Sequence, residues 1–221
     1  VYLFIGLGVV ALFAAIFTPV RRPEPKDPEA KVIPPALDSA PPFVLTERLG
    51  STVDNDTLAG KVWVASFAFT RCEFCPQVSS TMARFRKEMN LTDRDDFRLV
   101  TFTIDPDHDT PGELRKYANK FTDTPDDPRW LFLHGSERFI RLLCDRGFKV
   151  RVTKKEDAPV GRMYDHYLGL TVVDKRGWVR GRYLGKPSSR EGDEQVLEQG
   201  MKEFDESFAA LKEKVAELLK E

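Results

Sequence analysis

Hydrophobic and polar positions follow two rhythms along the chain. Residues 61–69 (KVWVASFAF) and 97–104 (FRLVTFTI) are nearly unbroken apolar, β-rich runs. That pattern belongs to strands buried on both faces. Shorter runs at 130–133, 148–152, 168–173 and 178–183 predict further strands, the last two joined by Asp174-Lys175-Arg176-Gly177 as a hairpin turn. Between them the rhythm becomes helical. Val78, Met82, Phe85 and Met89 share one face of a helix over 77–89. Pro111 opens a helix over 111–121, with proline in the first turn where its missing N–H costs nothing. A third helix is expected over 136–146. Strands alternating with helices and closing on a hairpin predict an α/β fold with a sheet of mixed direction.

The last helix, over 192–220, carries Leu197, Met201, Phe204, Phe208, Leu211, Val215 and Leu218 at spacings of 4, 3, 4, 3, 4 and 3. Such a seam suits a terminal helix laid on the sheet. The alternative is a helix whose outer half leaves the domain and pairs with a second copy as a coiled coil, making a homodimer.

At the other end, residues 1–20 (VYLFIGLGVVALFAAIFTPV) are apolar throughout. None of the chain's 34 Lys+Arg and 35 Asp+Glu residues falls there. About 20 apolar residues match a bilayer core, whereas a cleaved signal has an apolar region of roughly 7–15. Length therefore favours a transmembrane anchor. Eight of the fifteen prolines then crowd into residues 19–42, which excludes a helix or central strand and reads as an extended stalk. The expected organisation is an anchor at 1–20, a proline-rich linker at 21–42, a domain at 43–190 and a C-terminal helix at 191–221.

The formal net charge of −1 offers no basic footprint for nucleic acid. Three cysteines are too few for a disulfide scaffold. Two of them, however, stand in Thr70-Arg71-Cys72-Glu73-Phe74-Cys75-Pro76, between a buried strand and an amphipathic helix. A helix start favours thiolate over thiol, and Arg71 brings a positive charge nearby. Such a pair can cycle between dithiol and disulfide, or chelate a soft metal ion. A zinc ribbon needs a second pair, and only Cys144 remains; it lies on the apolar face of its helix and reads as a small buried hydrophobe. Two thiolates and an imidazole would suit Cu(I), or Cu(II) with a further ligand. His108, His134 and His166 are all available, and spacing does not choose among them.

The runs SFAFTRCEFCP, TFTIDPDHDTPGELRKYANKF, WLFLHGS and YDHYLGLTVVDKRG occur in the order and at intervals similar to those of the Sco/SenC family. The resemblance covers about residues 43–190. It implies a thioredoxin-like fold, flanked by helices, on a membrane anchor facing the periplasm or the mitochondrial intermembrane space. It implies a copper role, either delivering copper to the dinuclear site of cytochrome c oxidase or reducing that site's cysteines. The partner would be the copper-bearing oxidase subunit or another copper or thiol protein. Matched residue by residue, the metal-binding and redox-active cysteines fall on Cys72 and Cys75, and the histidine ligand falls on His166. Asp105 and Asp109 fall on aspartates near the copper, which are not ligands. This chain departs from the family in having two residues, Glu73 and Phe74, between the cysteines instead of three. The shorter loop resembles that of thioredoxin-type reductases, so copper binding and thiol–disulfide exchange both stand as readings. The TlpA/ResA-type reductases carry a cis-proline directly before the strand facing the cysteines; here Pro159 is the nearest upstream proline, and His166 occupies the region. Arg21 and Arg22 alone would hold the C-terminal side in the cytoplasm. An oxidisable thiol pair instead suits an oxidising compartment, which places the domain outside it.

Overall fold

A computed structural model of the chain describes residues 38–188 and 193–221. The predicted anchor at 1–20 lies outside the described residues, as does the linker up to residue 37. The buried runs become the centre of an eight-stranded sheet. Its strands are β1 (Asp38–Ser39), β2 (Val44–Glu47), β3 (Thr52–Asp54), β4 (Val62–Ala68), β5 (Phe97–Thr103), β6 (Trp130–His134), β9 (Gly169–Val173) and β10 (Trp178–Leu184). The order across it is β1-β10-β9-β4-β5-β6-β2-β3. A separate two-stranded ribbon pairs β7 (Val152–Lys154) with β8 (Tyr164–His166). The helices are α1 (Asn55–Leu58), α2 (Cys75–Glu88), α3 (Pro111–Ala118), α4 (Glu137–Leu142) and α5 (Glu194–Leu218).

β4, β5 and β6 run parallel, while β9 is antiparallel to β4 and β10 to β9. The units β4-α2-β5 and β9-β10-α5 thus build a four-strand core in the order β5-β4-β9-β10. This is the thioredoxin-like arrangement: a mixed sheet with helices on it and a C-terminal helix. Alternation within each strand feeds two cores. Trp63, Ala65, Phe67, Val100, Phe102, Leu131 and Leu133 meet Phe148 and Cys144 on one side. Val62, Val64, Leu99, Trp130 and Phe132 meet α2, α3 and α5 on the other. Every residue of β4 is buried for this reason. The β9–β10 turn has a physical cause too. Gly177 takes a φ of 81°, and Asp174 accepts from the N–H groups of Arg176 and Trp178.

Three expectations shift. The strand predicted over 148–152 forms only at Val152–Lys154. Phe148 and Val150 are buried as expected, but Lys149 has a left-handed φ of 54° that no regular strand tolerates. The helix predicted over 136–146 is α-helical only to Leu142 and continues as a π turn over Leu143–Gly147. The ridge of the last helix is spent within the domain: Phe204, Phe208, Leu211, Val215 and Leu218 are buried on the sheet, beside α2. Its outer half therefore does not leave the domain, and the exposed members are Leu197 and Met201 near its start. Gly200 allows that start to press on the backbone of Ser188, which a Cβ would meet at 2.2 Å. The short edge strands β1–β3, of 2, 4 and 3 residues, carry too few positions for a periodic signal in the sequence.

Candidate metal centre

The parallel strands end on one edge of the sheet, and the chemistry gathers there. After β4 the chain turns through Thr70 and Arg71 to Cys72, and α2 begins at Cys75 with Pro76 in its first turn. Cys72 and Cys75 are joined as a disulfide, their Cα atoms 5.3 Å apart. The Cys75 N–H donates to Cys72 Sγ at 3.0 Å. In the reduced state that donor and the helix dipole would favour a Cys72 thiolate. Both cysteines are buried, Cys72 at 5% exposure and Cys75 at 0%. Cys72 is the more exposed of the two, though the pair is far more enclosed than ready handover of a ligand would suggest.

Of the three histidines, one faces the sulfurs. His166 Nε2 lies 3.4 Å from Cys75 Sγ, and its Nδ1 lies 3.3 Å from the Tyr164 carbonyl oxygen. One ligand atom each from Cys72, Cys75 and His166 fall within 4.8 Å of one another. Among the described residues this is the one cluster of that kind. Burial holds the His166 imidazole below its ordinary pKa, against smaller opposing effects from the Tyr164 carbonyl and Asp165. It is therefore neutral near pH 7, the form that ligates a metal. His134 instead lies with Nε2 3.1 Å from the Pro106 carbonyl oxygen, and His108 is exposed. Cys144 is buried away in the core, its thiol pushed up to about 12 by desolvation.

The two aspartates support the edge from beneath. Asp105 pairs with Arg71 at 2.6 Å and accepts from the Tyr164 hydroxyl at 3.1 Å. Arg71 thus brings less free charge to the thiols than its place in the sequence suggested. Asp109 is fully buried and accepts from the Thr70 N–H, the Thr70 hydroxyl and the Thr103 hydroxyl. Burial raises its pKa, partly offset by those hydrogen bonds. Three contributors were not singled out in the sequence. The Phe69 ring packs edge-on to His166 at 5.7 Å. Glu73, between the cysteines, pairs with Arg162 at 2.6 Å, and that partner holds its carboxyl below the usual range. No local pattern marks any of the three as part of the site; only the approach of residues 160–166 to the thiol loop reveals them.

A thioredoxin-like domain with a dithiol pair and a neutral imidazole at one sheet edge defines a thiol-redox or soft-metal protein. The particular family follows from comparison. The SCO1/SenC family profile matches residues 33–211, and the chain belongs to that family. It is 34% identical over 117 residues to the SCO1 protein homolog of Bacillus subtilis, covering 52% of this chain and 59% of that protein. It resembles the crystal structure of a SCO1/SenC family lipoprotein from Bacillus anthracis, with TM-score 0.61 and 28% identity over 77% of this chain and 98% of that one. A structure of BsSco, described as a member of the Sco family of cytochrome c oxidase assembly proteins with a disulfide switch, matches with TM-score 0.59 and 28% identity, over 75% of this chain and 94% of that one. Bradyrhizobium japonicum ScoI, solved with copper bound, shares the fold at TM-score 0.58 and 22% identity, over 75% of this chain and 99% of that one.

Proposed function

We propose that this chain binds copper through Cys72, Cys75 and His166 and serves the maturation of the dinuclear copper site of cytochrome c oxidase. The observation that carries this is the convergence of two sulfurs and one imidazole nitrogen within 4.8 Å. The donor set fits the ion: two soft thiolates suit Cu(I), and the imidazole extends the set toward Cu(II). The disulfide must first accept two electrons and two protons from an external dithiol. Each thiol then releases its proton on ligation. Membership of the SCO1/SenC family and the copper bound to ScoI support the reading.

Residues 1–20 would tether the domain to a membrane, with the domain in the periplasm or the intermembrane space. Among the described residues no helix is long and apolar enough to cross a membrane, so the tether rests on that run alone. A membrane tether raises the effective concentration of the domain near a membrane-bound oxidase. A reporter fused to the C-terminus tests the orientation.

Copper titration of the reduced protein tests the ligand set. His166→Ala is expected to lose most Cu(II) affinity and to change the charge-transfer spectrum; unchanged affinity and spectrum would refute the assignment. The disulfide itself favours a second reading, a thiol–disulfide oxidoreductase in which Cys72 attacks and Cys75 resolves. Failure of the reduced protein to exchange with model disulfides, with tight copper binding intact, would remove it.

A further inference from the structure

His166 sits on a ribbon that is not part of the main sheet. β7 and β8 pair only with each other, so no ladder hydrogen bond fixes the imidazole relative to the thiols. Side-chain and loop contacts must do so. On the sheet side Tyr164 is held by Asp105 and packs on Phe69. On the outer side the contacts come from the two residues between the cysteines. Glu73 donates its N–H to the Gly161 carbonyl at 3.0 Å. Its carboxylate accepts from Arg162 Nε at 2.6 Å and from Arg162 Nη2 at 2.7 Å, a bidentate fork. The Arg162 guanidinium also lies 5.3 Å from the Phe74 ring centroid. Gly161 presses so close that an added Cβ would lie 3.3 Å from Glu73 Cβ.

We infer that Glu73 and Arg162 form a clasp that positions His166 against the thiol pair and so sets the preference between the two copper oxidation states. The inference rests on the copper reading above. Arg162 lies four residues before His166, and Glu73 lies one residue after Cys72, so the fork spans the gap that the metal site must also span. Neither residue touches the ion; both are positioning residues. Two thiolates alone hold Cu(I), whereas Cu(II) depends on the nitrogen donor. Loosening the ribbon therefore costs Cu(II) affinity and spares Cu(I). Both side chains are about half exposed, so their removal leaves the cores untouched.

The test uses the full chain, wild type against Glu73→Gln, Arg162→Gln and the charge swap Glu73→Arg with Arg162→Glu. Two measurements are made. The first is affinity for Cu(I) and Cu(II) by competition with chelators. The second, free of metal, is the alkylation rate of the reduced cysteines by iodoacetamide. Each single variant is expected to weaken Cu(II) by about threefold to fivefold, the scale of one partly exposed ion pair, with Cu(I) unchanged. Alkylation is expected to speed up by a similar factor, and the swap to restore both values toward wild type. Equal loss of both ions, or single variants with wild-type alkylation and Cu(II) affinity, would overturn the clasp. If wild type binds neither ion the copper reading fails, and alkylation alone decides whether the clasp exists.

Discussion

His166 Nε2 stands 3.4 Å from Cys75 Sγ, although 91 positions separate the two residues along the chain. The contact is made beside the Phe69 ring, which packs edge-on to the imidazole with centroids 5.7 Å apart. Burial there favours the neutral imidazole.

That environment has a pH signature in the metal-free, oxidised protein. The folded-state pKa of His166 lies below its ordinary value of 6.5. Well above 6.5 the group is neutral in both states and contributes no slope. As pH falls below 6.5 the unfolded chain takes up the proton first, so stability drops until the folded-state pKa is passed. Denaturant midpoints measured from pH 7.5 to about 5 should show a fall in wild type that is shallower in His166→Gln.

Asp109 is a structural acceptor with three donors aimed at it. Asp109→Ala strands the half-buried Thr70 N–H and hydroxyl and the buried Thr103 hydroxyl. A cost of about 2–4 kcal/mol is expected in urea unfolding, from the unmet donors. A change below about 0.5 kcal/mol would mean that water replaces the carboxylate there.

The last helix supplies core to its own domain, so its two halves should respond differently. Leu211 is 0% exposed, and Leu211→Ala should cost about 2–4 kcal/mol. Met201 is 43% exposed, and Met201→Ser should stay within about 0.5 kcal/mol. Equal effects from the two would contradict the placement of α5.

Cys144 should be chemically silent. With 1% exposure and a thiol pushed up to about 12, it has almost no thiolate near neutrality. Mass spectrometry of the native, reduced protein after brief iodoacetamide treatment should find label at Cys72 before Cys144, by at least about tenfold in rate. Preferential labelling of Cys144 would refute its burial.

What the sequence determined by itself is local. Apolar runs mark β4, β5, β9 and β10 and the period-3.6 pattern marks α2 and α5, because each pattern lies within one element. The thiol pair at a strand-to-helix junction was legible for the same reason: four adjacent residues and a helix start suffice to bring two sulfurs together. Residue spacing alone could not choose among three histidines; likeness to a family pointed to His166, and only the tertiary structure set it beside the sulfurs. It also paired Arg71 with Asp105, laid Glu73 against Arg162, and turned the α5 seam inward. Each of these depends on chain segments tens of residues apart meeting at one edge of the sheet. The strand order and the return of the β7–β8 ribbon decide that meeting, and no local spacing encodes it.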